Sequence, residues 1–188
     1  CPECGACFDA GTRTCSAHSR PLVATALPRT LLARYRLDRR LAAGGMGTVY
    51  KAFDLALDHD VAAKVIGDAV IAKDGALERF FGEAKILASL RDHPNVVTVY
   101  DFGRIGDHQA YLIMELLVGR TLRQLLESDG RIRPPEALEM LEDVASAMTA
   151  AHRRRLLHRD LKPENIFLVD SGRGMVAKVL DFGIAKPL

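Results

Sequence analysis

Asp160, Lys162 and Asn165 fall within six positions in the segment Leu157-His158-Arg159-Asp160-Leu161-Lys162-Pro163-Glu164-Asn165. Each carries a group with distinct chemistry. The Asp160 carboxylate can accept a hydroxyl proton, Lys162 can neutralise charge on a phosphoryl group in transfer, and the Asn165 amide oxygen can ligate a hard cation. Further on, Val179-Leu180-Asp181-Phe182-Gly183 places a carboxylate at the end of an apolar run, before a glycine that lets the chain turn sharply. Asp181 suits Mg²⁺, because a hard ion bridging phosphates takes carboxylate oxygen. An aspartate at a strand end is commonly only a turn residue, so its meaning depends on the set.

Upstream, Lys64 closes Val61-Ala-Ala-Lys and shares a strand face with Ala62. An inward lysine is costly unless a charge meets it. Glu83, three residues after Phe80 and four before Leu87, sits at the edge of a helix stripe and is the expected partner. Taken singly, either residue reads more readily as a solvated surface charge. Leu41-Ala-Ala-Gly44-Gly45-Met-Gly47-Thr-Val49 sets glycines between two strand-like runs, where backbone amides can approach phosphate oxygens. A dinucleotide-binding loop would open into a helix. Thr48-Val-Tyr-Lys-Ala-Phe is strand-like, so that reading loses on local context.

All four cysteines lie in the first fifteen residues. Cys1-Pro-Glu-Cys4 and Cys15-Ser-Ala-His18 are two ligand pairs whose spacing suits a tetrahedral zinc ribbon, one pair on each tight turn. Cys7 could replace His18 as the fourth ligand or be a spare thiol. Phe8 would fill the small core, and a reduced, unstructured Cys-rich tail is the alternative.

The elements that must position these groups follow from periodicity. Residues 1–18 form the Cys/Gly-rich head, and residues 19–33 a proline-bearing linker with a short helical turn expected at Leu31 and Leu32. Strands are expected at Tyr35–Leu41, Thr48–Phe53, Val61–Ile66, Val96–Phe102 and Ala110–Glu115, and a helix over Ala76–Leu90. Beyond these, Pro134 and Pro135 open a long helix with Leu138, Leu141, Val144, Ala145, Met148 and Ala151 on one side. Short strands follow at Ile166–Val169 and Val176–Leu180. The fold class is α+β: a five-stranded antiparallel sheet with one helix, then a helical part. With 48% hydrophobic residues and 26 basic against 24 acidic side chains, the composition is globular. No basic tail marks a nucleic-acid ligand. No apolar run reaches the roughly 18 to 20 residues of a membrane-spanning helix, and cysteines confined to the head suit a reducing, cytoplasmic compartment. An anchor outside these residues stays open.

From about Tyr35 to Leu188 the chain resembles the protein kinase superfamily, specifically the eukaryotic-like serine/threonine kinases of bacteria. The glycine loop, Lys64, Glu83, His93-Pro-Asn-Val-Val, His158-Arg-Asp and Asp181-Phe-Gly stand in the family's order. The resemblance implies a bilobal fold with a complete N-lobe and hinge over 34–117 and only the first part of the helical C-lobe over 118–188. It implies ATP and Mg²⁺ as cofactors, with Lys64 on the α- and β-phosphates and paired with Glu83. Asp160 would be the catalytic base, Lys162 would contact phosphate, and Asn165 and Asp181 would hold two Mg²⁺ ions. Met114 would guard the back of the adenine pocket. The Glu115 carbonyl and Leu117 amide would face the adenine edge, and Leu41, Val49, Ala62 and Phe167 would enclose its faces, with Gly44, Gly45 and Gly47 over the phosphates. Leu87, Val99, His158 and Phe182 match the side-chain stack of active kinases. Short zinc ribbons similar to the head precede some bacterial kinases.

The implied reaction is transfer of the γ-phosphoryl group of ATP to Ser or Thr hydroxyls of protein substrates, the kinase itself among them. Arg159 before the base implies control by a phosphate on the activation loop. A nucleotide-binding pseudokinase and a zinc-ribbon binding module are the competing classes; the complete set of catalytic residue types disfavours the first, and the lack of a basic cluster in the head disfavours nucleic acid as target of the second. Ala42 stands where the family's first loop glycine would be, which weakens nucleotide binding at most. Without the helices that follow in the family, the Leu141, Val144 and Met148 stripe is expected to face water, leaving this piece alone inactive.

Overall fold

The computed structural model describes residues 1–25, 27–44, 47–72, 75–106, 109–172 and 174–182. Gly45, Gly183 and the remainder of the last segment lie outside them. The chain divides into two compact units, Cys1–Asp74 with Asp101–Leu116, and Gly75–Tyr100 with Leu117–Leu188.

In the first unit, β1 (Thr30–Leu31), β2 (Tyr35–Gly44), β3 (Gly47–Asp54) and β4 (His59–Ile66) run as successive antiparallel hairpins. After the short α1 (Asp68–Ile71), β5 (Val99–Ile105) and β6 (Gln109–Glu115) complete a six-stranded sheet in the order β1-β2-β3-β4-β6-β5. Alternation sorts its residues by face. Leu37, Tyr50, Ala52, Val61, Ala63, Val65, Tyr111 and Ile113 form one apolar core, joined by Leu31 and Tyr35. On the same strands, Val49 stands opposite Lys64, and Ala62 opposite Met114, with the intervening side chains pointing the other way.

Two polar anchors hold this sheet. Arg34 donates from Nε and Nη2 to Asp54 at 2.9 and 2.7 Å, while Asp54 Oδ1 accepts from the Ala56 and Leu57 amides. The guanidinium, with help from the two amides against burial, holds the Asp54 carboxyl down to about 2. Tyr35 and Tyr111 both donate their hydroxyls to Asp101, at 2.7 and 3.4 Å. Burial first, then that carboxylate, pushes Tyr111 up to about 12.

The second unit contains α2 (Ala76–Ala88), β7 (Gly119–Thr121), α3 (Leu122–Asp129), α4 (Pro134–Arg153), β8 (Ile166–Asp170) and β9 (Met175–Val179). Leu77, Phe80, Ala84 and Leu87 make the buried stripe of α2, at the spacing that the sequence shows. β7, β8 and β9 form a three-stranded antiparallel sheet. Thr121 and Gln124 close a reciprocal capping box on α3, the Thr-x-x-Gln signature of a helix start.

Several expectations are corrected. Leu31 is a strand residue, fully buried, and the chain reverses through Leu32 and Ala33 at φ 52° and 54° instead of forming a helical turn. Core burial of Leu31 against the sheet outweighs local helix propensity. The stretch 19–33 therefore supplies a strand and a core residue, making six strands where five were expected. β5 begins at Val99, not Val96, because Val96 instead bridges Val179 and the Val97 amide donates to the Val179 carbonyl at 3.1 Å. The α4 stripe divides: Val144, Ala147 and Ala151 are buried on the side that meets β9, whereas Leu138 and Leu141 are exposed. Val144 does not face water as expected.

Candidate active site

In the first unit the glycine hairpin is the end of the β2–β3 ladder, where Gly44 pairs with Gly47. Gly47 has φ 138°, and a Cβ there would stand 2.2 Å from the Val65 carbonyl oxygen. Glycine is required twice over, by the dihedral and by the approach to β4. Behind the hairpin, Val49 and Lys64 are cross-strand partners, and Ala62 and Met114 are partners one step further along. Lys64, Ala62 and Met114 are buried, Val49 and Glu115 are half-buried, and Leu41 is exposed. Strand periodicity thus brings Val49, Ala62, Lys64 and Met114 to one sheet face beneath the glycines.

The second unit brings together Asp160, Lys162 and Asn165. Asn165 is buried, and its Nδ2 donates to the Asp160 carbonyl at 2.9 Å and leans on Asp160 Oδ2 at 3.4 Å. Lys162 Nζ lies 3.2 Å from the same Oδ2. A single turn over Pro163–Asn165 creates this convergence, since the Asn165 amide donates back to the Lys162 carbonyl. With the nitrogen end of Asn165 held by Asp160, its amide oxygen is the end that points elsewhere, which fits a hard cation.

His158 ties this loop to Asp181. Its ring is 3% exposed, and Nε2 is 2.8 Å from the Leu180 carbonyl while Nδ1 accepts the Asp160 amide at 3.3 Å. An Nδ1 that accepts cannot carry a proton, so the ring is the neutral Nε2–H tautomer. Burial, which disfavours the charged form, pushes its pKa below the usual histidine value. Phe182 packs on it with ring centroids 4.8 Å apart. The Leu180 amide donates to the Asn165 carbonyl at 2.8 Å, so the residue before Asp181 is tied by backbone bonds to both sides of the loop. Asp181 itself has φ 45° and Arg159 has φ 59°, left-handed conformations that cost energy in non-glycine residues. Leu87, Val99, His158 and Phe182 are all buried. Leu117 and Phe167 are half-buried, and Phe167 pairs with Thr121 across β7 and β8.

Glu83 meets Arg159, whose Nη1 donates to its carboxylate at 2.9 Å. Burial raises the Glu83 carboxyl and Arg159 opposes the rise. Nothing in the order of the residues marks this pair, whose members are 76 positions apart. Asn95 and Asp143 were also missed: Asn95 Nδ2 donates to the Ala177 carbonyl at 3.1 Å, and Asp143 Oδ2 accepts the Ala177 amide at 2.8 Å. They fix β9, which ends at Val179, two residues before Asp181.

In the head, the ligand atoms of Cys1, Cys4, Cys15 and His18 all lie within 4.8 Å of one another. Cys4 Sγ is 3.9 Å from Cys15 Sγ, which is 3.6 Å from His18 Nδ1. A tetrahedron with standard zinc bond lengths has S–S edges of about 3.8 Å and S–N edges of about 3.6 Å. These four residues fit zinc. Cys7 is outside the cluster, with Sγ turned to the Gly5 carbonyl at 3.7 Å and its side chain packed against the sheet core. Burial raises its thiol pKa.

A family model described as "Protein kinase domain" matches residues 35–188. Serine/threonine-protein kinase pkn2 of Myxococcus xanthus is 44% identical over 153 residues, which are 81% of this chain and 18% of that protein. PrkC of Bacillus subtilis is 39% identical over 160 residues, covering 85% and 24%. PknA of Mycobacterium tuberculosis is 42% identical over 161 residues, covering 84% and 36%. The chain therefore spans between about a fifth and about a third of these curated relatives. Among solved structures, a double mutant of the Mycobacterium tuberculosis PknI kinase domain superposes with a TM-score of 0.76 at 32% identity, covering 86% of this chain and 64% of that one.

Proposed function

The chain belongs to the protein kinase domain family, among relatives named serine/threonine kinases, and from that premise we propose that the protein carrying it transfers the γ-phosphoryl group of ATP to Ser and Thr hydroxyls of proteins. The observation that carries this reading is the convergence of Lys162 Nζ and Asn165 Nδ2 on Asp160 Oδ2, at 3.2 and 3.4 Å. Two donors on one oxygen fix the plane of the carboxylate. Asp160 then takes the proton of the attacking hydroxyl, and Lys162 neutralises charge on the phosphoryl oxygens. Asn165 and Asp181 offer the oxygens that would hold Mg²⁺, which supplies charge neutralisation on the phosphates when bound.

On the first unit, Lys64 binds the α- and β-phosphates beneath Gly44, Gly45 and Gly47. Leu41, Val49 and Ala62 of the same unit line the adenine, whose edge the Glu115 backbone recognises beside Met114. Substrates include the kinase itself, and nucleic acid is not among its ligands. The exposed Leu138 and Leu141 support the view that these 188 residues alone are inactive.

The head is favoured as a zinc site by its tetrahedral edge lengths, in a cytoplasmic setting where thiols stay reduced. To test the kinase reading, the intact protein is incubated with labelled ATP and Mg²⁺ beside Asp160→Asn. A loss of about 10² to 10⁴ in rate is expected. Equal labelling by both proteins would remove Asp160 from the mechanism.

A further inference from the structure

The head does not hang from the kinase domain as a separate module. Its backbone is stitched to β2: the Cys7 amide donates to the Asp38 carbonyl at 2.9 Å, the Arg40 amide donates to the Gly5 carbonyl at 2.8 Å, and Ala6 bridges Arg39 between them. Gly5 has φ 74°, and a Cβ there would stand 2.5 Å from the Arg40 oxygen, so the approach admits only glycine. Arg29 adds a second tie by donating to the Cys7 carbonyl and, at 3.1 Å, to Asp38.

This contact falls where β2 is least held by its other neighbour. The β2–β3 register slips between Leu37 and Arg39 and again between Arg40 and Ala42, so two irregularities flank the residues that the head grips. Two residues after the second slip comes Gly44, the start of the phosphate hairpin. Bulged edges bend and twist readily, and an outside brace limits that freedom.

Apolar packing is too thin to hold the brace by itself. Within residues 1–18 only Cys15 is buried, and an open pocket of about 670 Å³ is lined by the head together with Leu22, Leu27, Leu37 and Tyr50. A segment this small draws its folding free energy from metal. The first turn is closed by the Gly5 amide on the Cys1 carbonyl at 3.0 Å, and the second by the Ser19 amide on the Cys15 carbonyl at 2.8 Å. Each turn carries two of the four ligands, so a cation bound there would join them far more firmly than the exposed Glu3–Arg20 ion pair does.

We propose that a zinc ion on Cys1, Cys4, Cys15 and His18, with Cys7 excluded, acts as a clasp on β2, so that metal occupancy sets the order of the phosphate hairpin and the affinity for nucleotide. The proposal rests on the zinc reading given above. It makes the head a control element of the nucleotide site instead of an independent docking module.

The test uses the intact protein. Zinc is counted by mass spectrometry, then removed with a high-affinity chelator and restored. Hydrogen exchange over residues 36–44 and the Kd of a fluorescent ATP analogue are followed at each stage. One zinc per chain is expected, with faster exchange and an affinity about five- to tenfold weaker after removal, both restored by zinc. Cys7→Ser should keep its zinc, and His18→Ala should lose it more readily. If zinc is present but its removal leaves exchange and Kd unchanged, the clasp is overturned while the zinc site stands. Protein without zinc, or a Cys7→Ser variant that loses it while His18→Ala retains it, overturns the ligand set and the clasp together.

Discussion

His158→Phe isolates what the buried imidazole contributes beyond its ring. Phenylalanine keeps the aromatic surface that packs on Phe182 but removes both ring nitrogens. The Leu180 carbonyl, 2.8 Å from Nε2, loses its donor. The Asp160 amide loses the 3.3 Å contact to Nδ1 but keeps the His158 carbonyl at 2.8 Å, so one buried group is orphaned, not two. An orphaned buried acceptor costs about 1 to 3 kcal/mol. The variant should be destabilised by that amount at pH 7.5.

Its pH dependence supplies a second readout with a definite sign. Burial holds the folded-state pKa of His158 below the ordinary 6.5, so the unfolded chain binds the proton first. Stability from this group is complete above about pH 6.5 and is lost as pH falls, by at most about 1.4 kcal/mol per pH unit. His158→Phe has no such proton to exclude, and its deficit relative to wild type should shrink between pH 7.5 and 5. Thermal unfolding of the intact protein across that range, read by intrinsic fluorescence, measures both effects. Equal stability at pH 7.5, or parallel pH profiles, would refute the neutral, doubly bonded imidazole.

Two further substitutions test the other unit. Gly47→Ala forces a Cβ to within 2.2 Å of the Val65 carbonyl at a positive φ, whereas the Cβ of Gly44→Ala meets nothing within 4 Å. The first should cost about 1 to 3 kcal/mol and raise the KM for ATP, and the second should be much milder; equal effects would contradict the hairpin geometry. Asp54→Ala removes the partner of Arg34 and the cap on the Ala56 and Leu57 amides, at a cost of roughly 1 to 3 kcal/mol in chemical denaturation. Because the Asp54 carboxyl is held at about 2 against an ordinary 3.8, its contribution is present above pH 3.8 and lost as pH falls toward 2. That acid limb should be absent from the variant's stability profile.

The sequence by itself determined whatever is local and periodic. Alternation along Val61–Ile66 was enough to put Ala62 and Lys64 on one face, the 3,4,3 spacing of Leu77, Phe80, Ala84 and Leu87 defined α2, and the order from His158 to Asn165 was enough to single out Asp160, Lys162 and Asn165 as a set. These signals survive in one dimension because side-chain direction repeats every 2 residues in a strand and every 3.6 in a helix. Only tertiary structure decided what depends on a distant partner. Arg159 meets Glu83 across 76 positions. Val144 is buried while Leu138 on the same helix is not, because β9 covers one side of α4. Gly5 and Cys7 reach β2 through backbone amides and carbonyls, groups that every non-proline residue carries alike, so that attachment leaves no pattern in the order of the residues.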